Sequence, residues 1–144
     1  MTIRPYRASD EEAVVALWEA CGLVRPQNNP RKDIARKRAV NAEWFLVAES
    51  VAEAGAAARI VGTVMVGYEG HRGWINYLAV EPDGQRVGVG RALMAEAERR
   101  LRDVGCPKIN LQVRTSNAAV LAFYARLGFA QDDVVSLGKR LEFD

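Results

Sequence analysis

Ile75-Asn76-Tyr77-Leu78-Ala79-Val80, followed by Glu81-Pro82-Asp83-Gly84 and then Gln85-Arg86-Val87-Gly88-Val89-Gly90, decides the fold of this 144-residue chain. The first six residues suit a strand, the Glu-Pro-Asp-Gly segment stops it, and helical spacing begins after Gly90. Strand, glycine loop and helix together build an anion site. Glycines open backbone conformations closed to other residues, and the loop's N–H groups join the positive end of the following helix dipole. A diphosphate-bearing ligand is the expectation. A Walker loop is excluded because Arg91 and Ala92 follow Gly90. A dinucleotide fingerprint is excluded because Ala92-Leu93 stands where its third glycine belongs. The competing reading is a surface turn in front of a core helix.

Outward from that centre, periodicity lays out the rest. Upstream, residues 2–6 read as a first strand, and Ser9-Asp10-Glu11-Glu12 matches a capping box ahead of a helix with Val14, Leu17, Trp18 and Cys21 on one face. Gly22 closes that helix, and Arg25-Pro26-Gln27-Asn28-Asn29-Pro30 breaks the pattern. A second helix carries Arg31, Lys32, Arg36, Lys37 and Arg38, with Ile34 as its inward anchor. Such a cluster reads as a solvated face or as a border to an acidic acceptor or cofactor. Residues 44–48, 60–68 and 74–80 read as three strands with short links, an antiparallel meander. Downstream, Leu93, Ala97, Leu101 and Val104 form the inward stripe of a helix ending at Gly105. Residues 108–113 alternate as a fifth strand. Thr115-Ser116-Asn117 caps a last helix whose stripe is Val120, Phe123, Tyr124 and Leu127, and residues from Phe129 onward predict two more short strands.

Composition bounds the function. At 49% apolar and 26% charged, the 144 residues suit one domain, residues 1–144. No apolar run has membrane-spanning length, residues 2–7 are no secretion signal, and a cytoplasmic protein without a membrane partner is expected. Cys21 and Cys106 lie far apart and His71 is the only histidine, so neither a disulfide framework nor a metal site is expected. A net charge of +2 argues against nucleic acid as the main partner.

The hexapeptide from Gln85 to Gly90 resembles the acetyl-coenzyme A loop of the GNAT N-acetyltransferase family, Gln/Arg-x-x-Gly-x-Gly/Ala, through Gln85, Gly88 and Gly90. Residues 117–129 resemble a second family segment, Asn-x-x-Ala-x-x-Phe-Tyr-x-x-x-Gly-Phe, although Val120 or Leu121 takes the place of its alanine. The order of elements is similar to that family along essentially the whole chain. Leu23-Val24-Arg25-Pro26, Gly70-His71-Arg72-Gly73, Gly105-Cys106-Pro107-Lys108 and Ser136-Leu137-Gly138-Lys139-Arg140 look like its YpeA-like bacterial branch. The resemblance implies an α/β fold of the α+β type: a central, mixed, mostly antiparallel twisted sheet with helices on both faces.

It also implies transfer of an acetyl group from acetyl-coenzyme A, without a metal, by direct attack of an amine of a small molecule or a protein N-terminus. By the family pattern, Leu78, Ala79 and Val80 offer N–H groups to the pantetheine arm. Arg86, Val87, Gly88, Val89, Gly90 and Arg91 hold the diphosphate, and Gln85 opens the loop. Asn117 meets the pantetheine or phosphate portion, or simply caps its helix. Tyr124 contacts the cofactor and is the acid for the departing thiolate, or is a core aromatic. Residues 73–80 contain no carboxylate to act as base. Glu69 is the candidate, with Tyr68, His71 and Tyr77 as alternatives. A catalytically idle acyl-coenzyme A sensor regulating a partner and a basic docking module remain as other classes, and a homodimer is a further expectation of the resemblance.

Overall fold

Alternation along β2 (Phe45–Glu49) sets the layers of the molecule. Phe45 and Val47 pack into one apolar cluster and Leu46 and Ala48 into another, as period-two geometry requires of a strand covered on both faces. In the computed structural model, which describes residues 1–84 and 88–144, β2 lies in a sheet with β1 (Thr2–Pro5), β3 (Ile60–Tyr68), β4 (Gly73–Val80) and β5 (Ile109–Leu111). The five strands stand in chain order. The first four are antiparallel neighbours, and β5 joins β4 in parallel. The mixed, mostly antiparallel sheet expected from the sequence is therefore present.

Helix α1 (Glu11–Ala20) and α2 (Pro30–Asn41) cover one face, where Val14, Leu17, Trp18 and Ile34 meet Phe45, Val47 and Met65. Helix α3 (Val89–Asp103) and α4 (Ala118–Arg126) cover the other, where Leu93, Met94, Ala97, Leu101 and Tyr124 meet Leu46, Val64 and Val66. Each such side chain, once fully buried, contributes about 1.5–3 kcal/mol relative to exposure. Pro30 begins α2 at a position where its missing N–H costs nothing, and Asn29 Oδ1 accepts from Arg31 N at 3.0 Å.

Four local expectations are corrected. Ser9 does not cap α1. A short 3₁₀ turn, Ala8–Asp10, precedes it, and Asp10 Oδ2 accepts from Arg7 N at 2.8 Å because Arg4 of β1 draws that carboxylate inward at 2.9 Å. Val104 lies outside the inward stripe, just past the end of α3, and is half exposed. β5 is shorter than residues 108–113. The alternation continues, but β4 leaves its side after Ile75.

Finally, no strand follows Leu111 among the described residues. Val134, Val135, Leu137, Leu141 and Phe143 stand 76–91% exposed. The tail is fastened by polar side chains instead of a ladder. Asp132 accepts from Lys108 Nζ and Asn110 Nδ2 at 2.8 Å each, and Asp144 holds Arg36 at 2.8 Å. A strand three residues long offers too little edge for further pairing.

Candidate active site

Two irregularities in β4 create the site. The first is its parting from β5: pairing stops at Ile75↔Leu111, while β4 continues beside β3 as far as Val80. Among the described residues no strand pairs with residues 76–79 on the β5 side. The second is a bulge. Met65 pairs with Asn76 and Thr63 with Ala79, so Tyr77 and Leu78 together oppose Val64, and Tyr77 sits at φ 50. The bulge reverses the alternation: Ile75, Leu78 and Val80 pack toward α3, whereas Tyr77 and Ala79 pack toward α1.

A left-handed tyrosine needs support, because its Cβ crowds the backbone there. Thr63, fully buried, accepts from Trp18 Nε1 at 2.9 Å and donates to the Tyr77 carbonyl at 2.9 Å. The Trp18 ring stacks on that of Tyr77 with centroids 3.8 Å apart. At its other end the Tyr77 hydroxyl donates to Asp33 Oδ2 at 2.6 Å and accepts from Asn28 Nδ2 at 3.0 Å. Burial, then the Asp33 carboxylate, raises this phenol well above the usual tyrosine range, so it stays protonated.

The glycine loop's described part opens α3 beside the end of β4. Gly88 is the N-cap at φ 84, a conformation glycine adopts without strain, and its carbonyl accepts from Ala92 N at 3.0 Å. Among the described residues neither a capping side chain nor a first-turn acid meets the leading amides of Val89, Gly90 and Arg91 at the positive end of the helix. Gly90 permits a close approach. A Cβ there would stand 3.2 Å from Phe123 Cζ and 3.4 Å from Val80 Cγ2. The loop, the end of β4 and α4 therefore meet. Gln85, Arg86 and Val87 lie outside the described residues.

Tyr124 follows Phe123 into this corner. It is 8% exposed, its ring lies 5.1 Å from Phe123 and 5.4 Å from Phe129, and burial pushes its hydroxyl up to about 12. That hydroxyl has no hydrogen-bond partner among the described residues, yet it is not sealed from solvent: the one buried, unpartnered side-chain polar atom among them is Arg4 Nε. Asn117 caps α4, Oδ1 accepting from Val120 N at 3.3 Å.

Glu69 is elsewhere. It follows Tyr68, which pairs with Gly73 at the closed end of β4, roughly 20 Å along the strand from Val80. Its Oε1 accepts from Arg72 N and His71 N, and these bonds lower its pKa, making it a weaker base. Tyr68 and His71 share that turn, so of the residues considered as bases only Tyr77 stands at the opened end. The basic cluster of α2 is largely engaged. Arg31 binds Glu11 and Glu12, Arg36 binds Asp33, Glu142 and Asp144, Lys37 donates to the Val66 carbonyl, and Arg38 lies over the Tyr6 ring. Sequence reasoning passed over Asp33, although it is the one acid among the cations of α2, and over the Trp18–Thr63 pair, which no local pattern announces.

The description "Acetyltransferase (GNAT) family" fits a family pattern that matches residues 9–129. An acetyltransferase of Pectobacterium atrosepticum is 48% identical over 98% of this chain and 96% of its own. The solved structure of Ard1 from Thermoplasma volcanium superposes with a TM-score of 0.76 at 25% identity, over 90% of this chain and 82% of that one. The ribosomal-protein-S18-alanine N-acetyltransferase of Escherichia coli gives 0.68 at 25% identity, over 91% and 78%. An opened parallel strand pair, a bulged β4 and an uncapped helix start next to a buried tyrosine thus belong to a chain that is a member of the GNAT acetyltransferase family.

Proposed function

We propose that the protein transfers an acetyl group from acetyl-coenzyme A to an α-amine, on a small molecule or a protein N-terminus, by direct attack within the opened end of β4. The carrying observation is the meeting of Val80, Gly90 and Phe123 at the uncapped start of α3. A diphosphate suits that helix start, since among the described residues no side chain caps its amides and its first turn carries no acid. Gly88, Val89, Gly90 and Arg91 would hold it, with Gln85, Arg86 and Val87 completing the loop. Leu78, Ala79 and Val80 would line the pantetheine arm, and Asn117 would approach its phosphate end. Bound there, the cofactor supplies the acetyl group as an activated thioester.

The chain's own residues then have separate tasks. N–H groups of β4 polarise the carbonyl, which matters most as negative charge develops on its oxygen. Tyr124, held protonated by burial, donates a hydrogen bond to the departing sulfur. A phenol pushed up to about 12 does not readily surrender its proton to an exposed thiolate of pKa near 8.5, so the donation, worth about ten- to a hundredfold, is its main contribution.

The nitrogen must attack in its neutral form and sheds one proton to water as the carbon–sulfur bond breaks and the sulfur departs as thiolate, which favours an α-amine. At pH 7 about one in seven α-amines is neutral, against about one in a thousand lysine-like amines. The carboxylates at the opened end, Asp33 and Asp144, are already bonded to Arg36, Tyr77 or Asn29, so neither is an unengaged strong base. The name of the Escherichia coli neighbour also specifies an alanine N-acetyltransferase, a protein acting on an α-amine.

Stabilisation by acetyl-coenzyme A in a thermal-shift measurement, with thiol release upon addition of amines, tests the reading. Tyr124→Phe should keep the shift and lose ten- to a hundredfold in kcat, and full activity in that variant would refute the assignment of the donor.

A further inference from the structure

The cleft at the opened end of β4 has a volume of about 630 Å³, and its lining includes Asn76 and Tyr77 of the bulged strand together with Arg25, Arg114 and Arg140. These arginines come from three separate places: the segment between α1 and α2, the segment after β5, and the tail. Arg36, which also lines the cleft, is paired with Asp33, Glu142 and Asp144. The other three are not paired with carboxylates. Among the described residues Arg25 and Arg114 have neither an ion pair nor a hydrogen bond to the side chain, and Arg140 donates only to the Glu142 carbonyl at 3.2 Å. The cleft's two acids do not compensate. Arg36 takes Asp33 Oδ1 and both oxygens of Asp144, and Tyr77 takes Asp33 Oδ2.

A concave site that brings three guanidinium forks without carboxylate partners to a bulged strand concentrates positive potential where an acceptor must enter. We infer that the acceptor is a small anionic amine, whose carboxylate or phosphate is gripped by Arg25 and Arg114, with Arg140 in support, while its amine points toward β4. The volume suits a ligand of that size. The planar fork of arginine matches either oxyanion with paired hydrogen bonds, which a neutral amide or hydroxyl cannot return. The inference rests on the transferase reading for the direction from which the acceptor enters.

The test uses the full chain with saturating coenzyme A. Arginine Nε–H resonances, assigned through Arg25→Gln and Arg114→Gln, are titrated with two α-amines that carry a remote anion, glycylglycine and N-glycyl-O-phosphoethanolamine, against glycylglycinamide and N-glycylethanolamine as neutral partners. Both arginine signals should shift and saturate with at least one anion at millimolar concentration or below, and respond about tenfold or more weakly to its neutral partner. The stronger anion identifies carboxylate or phosphate. Equal response to charged and neutral amines, or no saturable shift with either anion, overturns the inference. A response only to an acidic-terminus peptide overturns the small-ligand assignment. The transferase reading fails separately, when acetyl-coenzyme A does not stabilise the wild-type protein, and the arginine titration can still be read without it.

Discussion

Replacing Thr63 with valine keeps the shape of a fully buried side chain and deletes one hydroxyl that makes two hydrogen bonds. The Trp18 indole N–H, on a side chain with no exposure, loses its acceptor, and the carbonyl of left-handed Tyr77 loses its donor. Each net bond is worth about 1 kcal/mol, and a buried group left unpaired costs about 1–3 kcal/mol, so a total loss of about 2–4 kcal/mol follows. At this chain length that lowers the melting temperature by about 6–12 °C. Urea denaturation with a Thr63→Ser control is the assay. Serine keeps the hydroxyl and gives up one methyl, about 1 kcal/mol, so it should be the milder change. The Trp18→Phe cycle should be non-additive with Thr63→Val, since both remove the same bond. Loss of the support should also lower kcat/KM, because Tyr77 and Asn76 line the cleft. A valine variant within about 0.5 kcal/mol of wild type, or a serine variant less stable than it, would refute the role given to the hydroxyl.

Asp10→Ala leaves Arg4, whose side chain is 12% exposed, with Glu49 as its one carboxylate beside a bond to the Pro5 carbonyl, and should cost about 3 kcal/mol in chemical denaturation. Burial opposes ionisation of Asp10, but Arg4 and the Arg7 N–H outweigh it and lower its pKa, so its contribution is complete above about pH 4 and fades as pH falls further, a loss the variant should not show. Gly62→Ala puts a Cβ 2.8 Å from Val89 Cγ1, 2.9 Å from Leu93 Cδ1 and 3.1 Å from the Ala79 carbonyl; stability should fall by about 1–3 kcal/mol and the KM for acetyl-coenzyme A should rise, because Val89 opens α3. Since burial raises Tyr124 to about 12 from an unfolded value near 10, the folded state holds that proton longer, and stability should decline as pH rises between about 10 and 12; the decline should be shallower in Tyr124→Phe, where the raised phenol of Tyr77 still contributes.

Local periodicity carried the helices and the first four strands, because an inward stripe or an alternating run is a property of one segment. Val14, Leu17 and Trp18 declare their helix face without reference to any neighbour, and Gly88 and Gly90 mark a turn and a close approach through their lack of a side chain. The features that make the site are relations between segments. Nothing in Ile75 or Leu111 says that their strands separate one residue later, and the extra residue at Tyr77 is visible only against the count on β3. Glu69 looked close to β4 in sequence, yet it sits at the hairpin end while the cleft forms at the other. Arg25, Arg114 and Arg140 are far apart along the chain, and only the fold gathers them.

The reversal in β4 has a consequence for how this strand can vary. Two residues, Tyr77 and Leu78, face the single Val64, so deleting Tyr77 would restore strict alternation while Ala79 kept Thr63, Val80 kept Gly62 and every later side chain kept its layer; what would go is the ring on Trp18 and the hydroxyl between Asp33 and Asn28. The extra residue is therefore spare length for the layers and working length for the cleft: a chain without it should still fold, and should hold its acceptor more weakly.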